Sequence, residues 1–227
     1  MTMDWQALYL SIQLGLLTSI VLIPLGIFVS FWMQRQSTLT NQILETLFTL
    51  PLVLPPTVLG YYMLVGFGKG SWIGEWLYQL THVSFVFSFA GIWLASLIFN
   101  IPFAWLPIRR AFEAIPQDLK DAYQTCGLNP WQAFWKIELP LAWKGIVTAL
   151  IMTFTHTLGE FGVVLMVGGN IPGSTRTVSI SIYDQMQTLH MDEAGMMALI
   201  LLIISFLGLL ISQWILTRQQ SMSRYKA

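Results

Sequence analysis

Long apolar runs separated by short polar links dominate the chain. The runs cover residues 7–33, 43–68, 85–108, roughly 141–168 and roughly 195–216. As helices rising about 1.5 Å per residue, each is long enough to cross a hydrocarbon layer of about 30 Å. The pattern predicts an all-α integral membrane protein with about five transmembrane helices, because a segment in lipid must satisfy its backbone polar groups internally. Residues 1–227 read as a single transmembrane domain with its core at about 7–216. Gly15, Pro24 and Gly26 interrupt the first run without ending it. In the second, LPLVLPP places Pro51, Pro55 and Pro56 within six residues, which removes donors and forces a kink or a break. A break at membrane depth is tolerated where it is buried in protein or lines a cavity; a kink that merely fits packing is the other reading.

The links carry weaker signals. Residues 69–84 read as a loop in which Trp72, Trp76 and Tyr78 suit a membrane–water interface and His82 is solvated. Inside the third run, Asn100 is suited to a helix–helix hydrogen bond, and Arg109 and Arg110 end the run as an anchor at the inner face.

Composition supports this class. The 227 residues are 55% hydrophobic and 10% charged, against about 25% charged in soluble domains. The formal net charge is zero, so there is no basic footprint for nucleic acid. The single cysteine, Cys126, excludes an intramolecular disulfide, offers no metal pattern and is expected to be a small buried residue. The opening MTMDWQ has an acid and no base, and the apolar run after it exceeds the core of a signal peptide, so no cleavable leader is expected.

Five spans put the termini on opposite faces. One face holds Arg35, Arg109, Arg110, Lys120, Lys136, Lys144, Arg218, Arg224 and Lys226; the other holds only Lys69 and Arg176. Positive charge marks the cytoplasmic side, so the N-terminus is expected outside and the C-terminus inside.

The longest polar stretch, residues 118–140 within a loop at 109–140, lies on the cytoplasmic side in this arrangement. In it Asp121-Ala122 is followed by Gly127 and, nine residues later, by Ile137, Leu139 and Pro140. Ala122 is small enough to seat in a groove, Gly127 permits a bend between two short helices, and Pro140 is able to open the next membrane helix without losing a donor. The spacing resembles the EAA loop of ABC importer permeases, with Asp121 in place of the usual Glu and Tyr123 in place of the second Ala. The resemblance implies a coupling helix that docks in a groove of a cytoplasmic ATPase through Asp121, Ala122, Gly127, Ile137, Leu139 and Pro140. An ordinary amphipathic loop is the bland alternative.

Two further stretches bear on function. In the fourth run His156 and Glu160 are spaced i, i+4, on one helical face and able to pair. An intramembrane ionisable residue suggests function, and Gly159 and Gly162 let another backbone approach. Glu160 therefore ties helices together or belongs to a path or gate with Thr155, Gly159 and Gly162. In the path of an anion, a bare carboxylate would repel it. Thr153, Thr155 and Thr157 offer hydroxyls to an anion or bond their own helix. The second stretch is residues 168–183, where Asn170 and Arg176 stand in an outer loop; Arg176 either attracts an oxyanion or an acidic receptor surface, or is a loop arginine that snorkels.

Taken together, LPLVLPPTVLGYY, the EAA-like loop, LGEFG (158–162) and NIPGSTRT (170–177) resemble the oxyanion permeases of ABC importers, and most closely the molybdate branch. LGEFG is shared with the sulfate and tungstate permeases. The resemblance implies a multi-pass subunit of the bacterial inner membrane that forms the pathway as a homodimer. It also implies two ATP-binding cassette subunits and an extracytoplasmic oxyanion-binding protein as partners. This chain has no P-loop pattern, so ATP and Mg²⁺ are expected in the partner ATPase, with no cofactor, metal or catalytic residue here. The alternatives are a sulfate or thiosulfate permease and, from other classes, a channel, an ion-coupled carrier or an intramembrane enzyme using His156 and Glu160. No inverted repeat favours a carrier, and the enzyme lacks a nucleophile or a third metal ligand.

Overall fold

The computed structural model describes residues 3–34 and 36–224, with residues 124 and 217–224 described as backbone alone. Arg35 and Lys226, and the side chains of Arg218 and Arg224, used in the charge argument, lie outside the described residues.

The first span, α1 (Trp5–Met33), opens on Asp4, whose carboxylate accepts from the amide of Ala7, and runs through Pro24. The second is broken where the prolines fall. Helix α2 (Thr38–Val53), capped by Ser37, and helix α3 (Pro56–Phe67) meet at 106°. Phe48 and Glu45 of α2 meet Trp105 and Arg109 of α5 (Phe89–Glu113), whereas Met63 of α3 packs with Ala95. The bent pair thus advances from one end of α5 to the other, as one broken span does. Four other helical segments are long and apolar enough to cross a membrane, which brings the described residues to five spans.

Three expectations about the links are corrected. Residues 69–84 contain a helix, α4 (Trp72–Thr81), capped by Ser71, and Trp72 and Trp76 are exposed on it. The fourth span starts at Pro130, well before Pro140, because Asn129 and Gln132 form a capping box there. Helix α7 (Pro130–Ala133), a π-helical turn (Phe134–Glu138) and α8 (Leu139–Gly159) form one continuous span, Pro130–Gly159. The wider turn just before Pro140 accommodates a residue that has no N–H. This span ends at Gly159 and does not continue to residue 168; a separate short helix, α9 (Gly162–Gly168), follows. Helices α10 (Val178–Gln187) and α11 (Met191–Arg224) complete the chain, after α6 (Gln117–Thr125) in the polar loop.

The core lies where α1, α5 and α8 converge, with Leu22, Phe31, Ile108, Phe112, Phe134 and Ala149 buried together. Lipid gives no hydrophobic drive for helices to associate, so close packing must hold this bundle. Small residues permit it: a Cβ on Gly145 would lie 2.4 Å from Ala111 Cβ and 2.7 Å from the Pro107 carbonyl oxygen, and one on Gly26 would lie 3.0 Å from Ile108. Arg109 fastens α2 to α5 by pairing with Glu45 at 3.1 Å, and it is held on its own helix by Glu113 at 2.6 Å. Cys126, expected to be buried, is exposed.

The contact between α5 and α8 yields a test. Gly145→Val should cost roughly 1–3 kcal/mol of stability by overpacking and lower the thermal midpoint of the detergent-solubilised protein. An unchanged midpoint would contradict the close approach of these helices.

Candidate functional site at the paired helix breaks

The break between α2 and α3 and the break between α8 and α9 meet. A Cβ on Gly162 would lie 2.9 Å from Cβ of Pro56, and one on Gly60 would lie 2.7 Å from Cβ of Met166. Glycine at these positions lets α3 and α9 nearly touch. In a continuous helix the carbonyls of Pro51 and Leu52 would accept from residues 55 and 56, which are prolines and have no N–H. The bend at this point leaves Val53 81% exposed, with Leu52 and Tyr62 also exposed and open space beside Gly159. Irregular backbone is not tolerated against lipid. This face therefore calls for protein or water against it.

A polar network fixes the second break. Glu160 adopts an extended ψ of 127°, which takes it off the helical face it would have shared with His156. The two do not pair directly. Glu160 Oε2 accepts from Ser96 Oγ at 3.0 Å and from Asn100 Nδ2 at 3.2 Å. Asn100 Nδ2 also donates to the Ser96 carbonyl, so its Oδ1 faces His156 Nδ1 at 2.9 Å and that nitrogen is the donor. The imidazole is stacked on Phe103, with ring centroids 3.6 Å apart. Asn100 thus makes the interhelical bond expected of it and bridges the two ionisable groups. Glu160 Oε1 is buried without a described partner. The network is built to hold α5 against the break. It does not bring an acid and a base together on a reactive group, and no cluster of metal-ligating residues occurs among the described residues.

Other expected residues separate into structural and open positions. The hydroxyls of Thr155 and Thr157 bond carbonyls of their own helix, at 2.7 Å each, and Thr155 packs beside Gly208. Thr153 Oγ1 is buried without a described partner. Arg176 donates to Asn170 Oδ1 at 2.6 Å and pairs with Asp184 at 3.4 Å, while Asn170 also donates to Asp184 at 3.0 Å. These bonds tie the loop to Asp184 of α10 and give Arg176 local partners.

In the polar loop, Asp121 accepts from Gln117 at 2.9 Å, Ala122 is exposed, and Gly127 takes φ +74° at the turn between α6 and α7. Ile137 lies in the π-helical turn, and Leu139 and Pro140 follow in α8. Sequence reading missed Ser96, Ser179 and the pairing of Tyr123 with Glu138. Ser96 precedes Asn100 by one helical turn, a legible spacing. Ser179, which donates to the freed Leu158 carbonyl at 3.1 Å, lies far along the chain. Tyr123 and Glu138, joined at 2.5 Å, are fifteen residues apart and carry no local signal.

The family described as binding-protein-dependent transport system inner membrane component matches the chain over residues 22–222. The molybdenum transport system permease protein ModB of Azotobacter vinelandii is 39% identical over 206 residues, 91% of each chain. The Escherichia coli K12 protein of the same name is 36% identical over 213 residues, 93% of each chain. Among solved structures, a chain of a bacterial ABC transporter involved in alginate import superimposes with a TM-score of 0.74 at 18% identity, covering 92% of this chain and 79% of that one. That likeness concerns the fold, which is of the type I ABC importer permease class.

The network at Glu160 yields a second test. Glu160→Ala should leave Ser96 and Asn100 without their buried acceptor, at a cost of roughly 1–3 kcal/mol, whereas Glu160→Gln keeps an acceptor oxygen and should cost less. Thermal unfolding of the two variants separates them, and equal loss would contradict the network.

Proposed function

The chain belongs to the family of binding-protein-dependent transport system inner membrane components, and from that premise we propose that it is the permease subunit of an ATP-driven molybdate importer. The observation that carries the reading is 39% identity to a molybdenum transport permease along 91% of both chains. Two copies form the pathway, and their broken-helix faces turn toward one another and toward the ion. This arrangement supplies the protein or water that the exposed break at residues 52–57 requires. Glu160 is held against Ser96 and Asn100. Its carboxyl thus braces the break away from the anion's path, where a bare negative charge would be repulsive.

The N-terminus faces outside and the C-terminus the cytoplasm, as the distribution of Lys and Arg supports. The loop around α6 then faces two ATP-binding cassette subunits, which hold ATP and Mg²⁺. Asp121, Ala122 and the turn at Gly127 form the exposed docking face, and Ile137, Leu139 and Pro140 carry it into the span. ATP closes the cassette pair, α6 transmits the movement, and the two permeases open outward to a molybdate-loaded binding protein; hydrolysis resets them. Selectivity resides mainly in the binding protein.

Two measurements test this reading. In proteoliposomes holding the permease and its cassette subunits, binding protein loaded with molybdate should stimulate ATP hydrolysis, and sulfate-loaded binding protein should not. Tungstate, close to molybdate in size and charge, should also stimulate. Strongest stimulation by sulfate would move the protein to the sulfate branch, and none by any oxyanion would overturn the importer. Separately, Ala122→Glu should abolish co-purification of the cassette subunits by placing a charged side chain on the docking face.

A further inference from the structure

Among the described residues, few contacts hold helix α6 to the membrane domain. The approach to it is anchored by Ile115, which is buried in the core between α1, α5 and α8. On the helix itself, Tyr123 is the one described side chain that is buried, at 9% exposure. Its hydroxyl donates to Glu138 Oε1 at 2.5 Å. Glu138 is 4% exposed and sits on the π-helical turn near the start of the span Pro130–Gly159. Its second oxygen, Oε2, is buried without a described partner.

Elsewhere α6 stands off the bundle. A cavity of about 310 Å³ separates it from the end of α1 and the start of the span, lined by Gln34, Gln117, Lys120, Tyr123 and Glu138 among others. At its rim Lys120 reaches Gln34 at 3.0 Å, an exposed bond that water readily replaces. With space in place of packed side chains, a displacement of α6 has little solid contact through which to push the span. The Tyr123–Glu138 bond crosses that space. It is short and buried, and breaking it would cost Glu138 its described protein donor.

We propose that the Tyr123–Glu138 hydrogen bond is the joint that passes movement between α6 and the span Pro130–Gly159, and that both are positioning residues for energy coupling. The inference rests on the reading that α6 docks a cassette subunit. Tyr123 points inward, away from the docking face, so the joint transmits movement without taking part in assembly. Coupling is reciprocal. The same bond therefore carries the signal of a loaded binding protein inward and the closure of the cassettes outward.

The test compares Tyr123→Phe, Glu138→Gln and Ala122→Glu in the complete complex in proteoliposomes. The measured quantities are subunit assembly, basal ATP hydrolysis and the stimulation by molybdate-loaded binding protein. Tyr123→Phe removes one oxygen and keeps the ring. It should leave assembly and basal hydrolysis intact and reduce stimulation about fivefold, the effect of losing one such bond. Glu138→Gln keeps an acceptor for the tyrosine and should retain stimulation. Unchanged stimulation in Tyr123→Phe would overturn the joint. So would a proportional fall in assembly, basal and stimulated hydrolysis, which is what a merely structural role produces, or loss of stimulation in Glu138→Gln. Intact assembly in Ala122→Glu would instead overturn the docking reading itself.

Discussion

A backbone group inside a membrane has no water to turn to, and most of this structure is arranged around that constraint. Two prolines deprive the carbonyls of Pro51 and Leu52 of their helical donors, and the chain responds with a bend of 106°. A second break follows at Glu160, and there the compensation is visible: Ser179 donates to the freed Leu158 carbonyl. The network of Ser96, Asn100 and Glu160 then fixes the position of the break. The π-helical turn before Pro140 is a third response to the same demand, and it lets a long span continue through a residue that cannot donate.

The long span Pro130–Gly159 runs from the polar loop to the paired breaks. It begins near a buried carboxyl, Glu138, tied to the loop helix, and ends at another, Glu160, tied to α5 at the paired breaks. A rigid rod between a coupling surface and a gate is the simplest device by which a partner's movement reaches an ion path. On the proposed reading, the breaks at one end are where such a movement would be taken up. The remainder of the bundle is packed closely around α5 through Gly26 and Gly145.

Much of the fold was legible because its signals are local. Apolar run lengths marked the spans, LPLVLPP marked the first break, and Asn100 announced an interhelical bond. The second break was not legible, since LGEFG sits in an apolar run that reads as continuous helix; its cause is Glu160 turning toward Ser96 and Asn100 on a distant segment. The start of the fourth span was misplaced because Pro140 looked like a helix opener, while the capping box at Asn129 does that work. Cys126 looked like a core residue from its type alone, although its neighbourhood is the exposed turn after α6. The loop residues were singled out by spacing. The partner of Tyr123, fifteen residues away, required the fold.

The face bearing the first break should meet water or a second copy and not lipid. The direct measurement uses a protein with Cys126→Ser and one introduced thiol, treated in membranes with a charged, membrane-impermeant thiol reagent. Val53→Cys, at an 81% exposed position beside the break, should be labelled in at least one nucleotide state. Leu202→Cys, on the exposed apolar side of α11 at 63% exposure, should resist that reagent and react only with an apolar one. Identical behaviour of the two thiols, with Val53→Cys silent to the charged reagent in every state, would place the break against lipid and contradict the account.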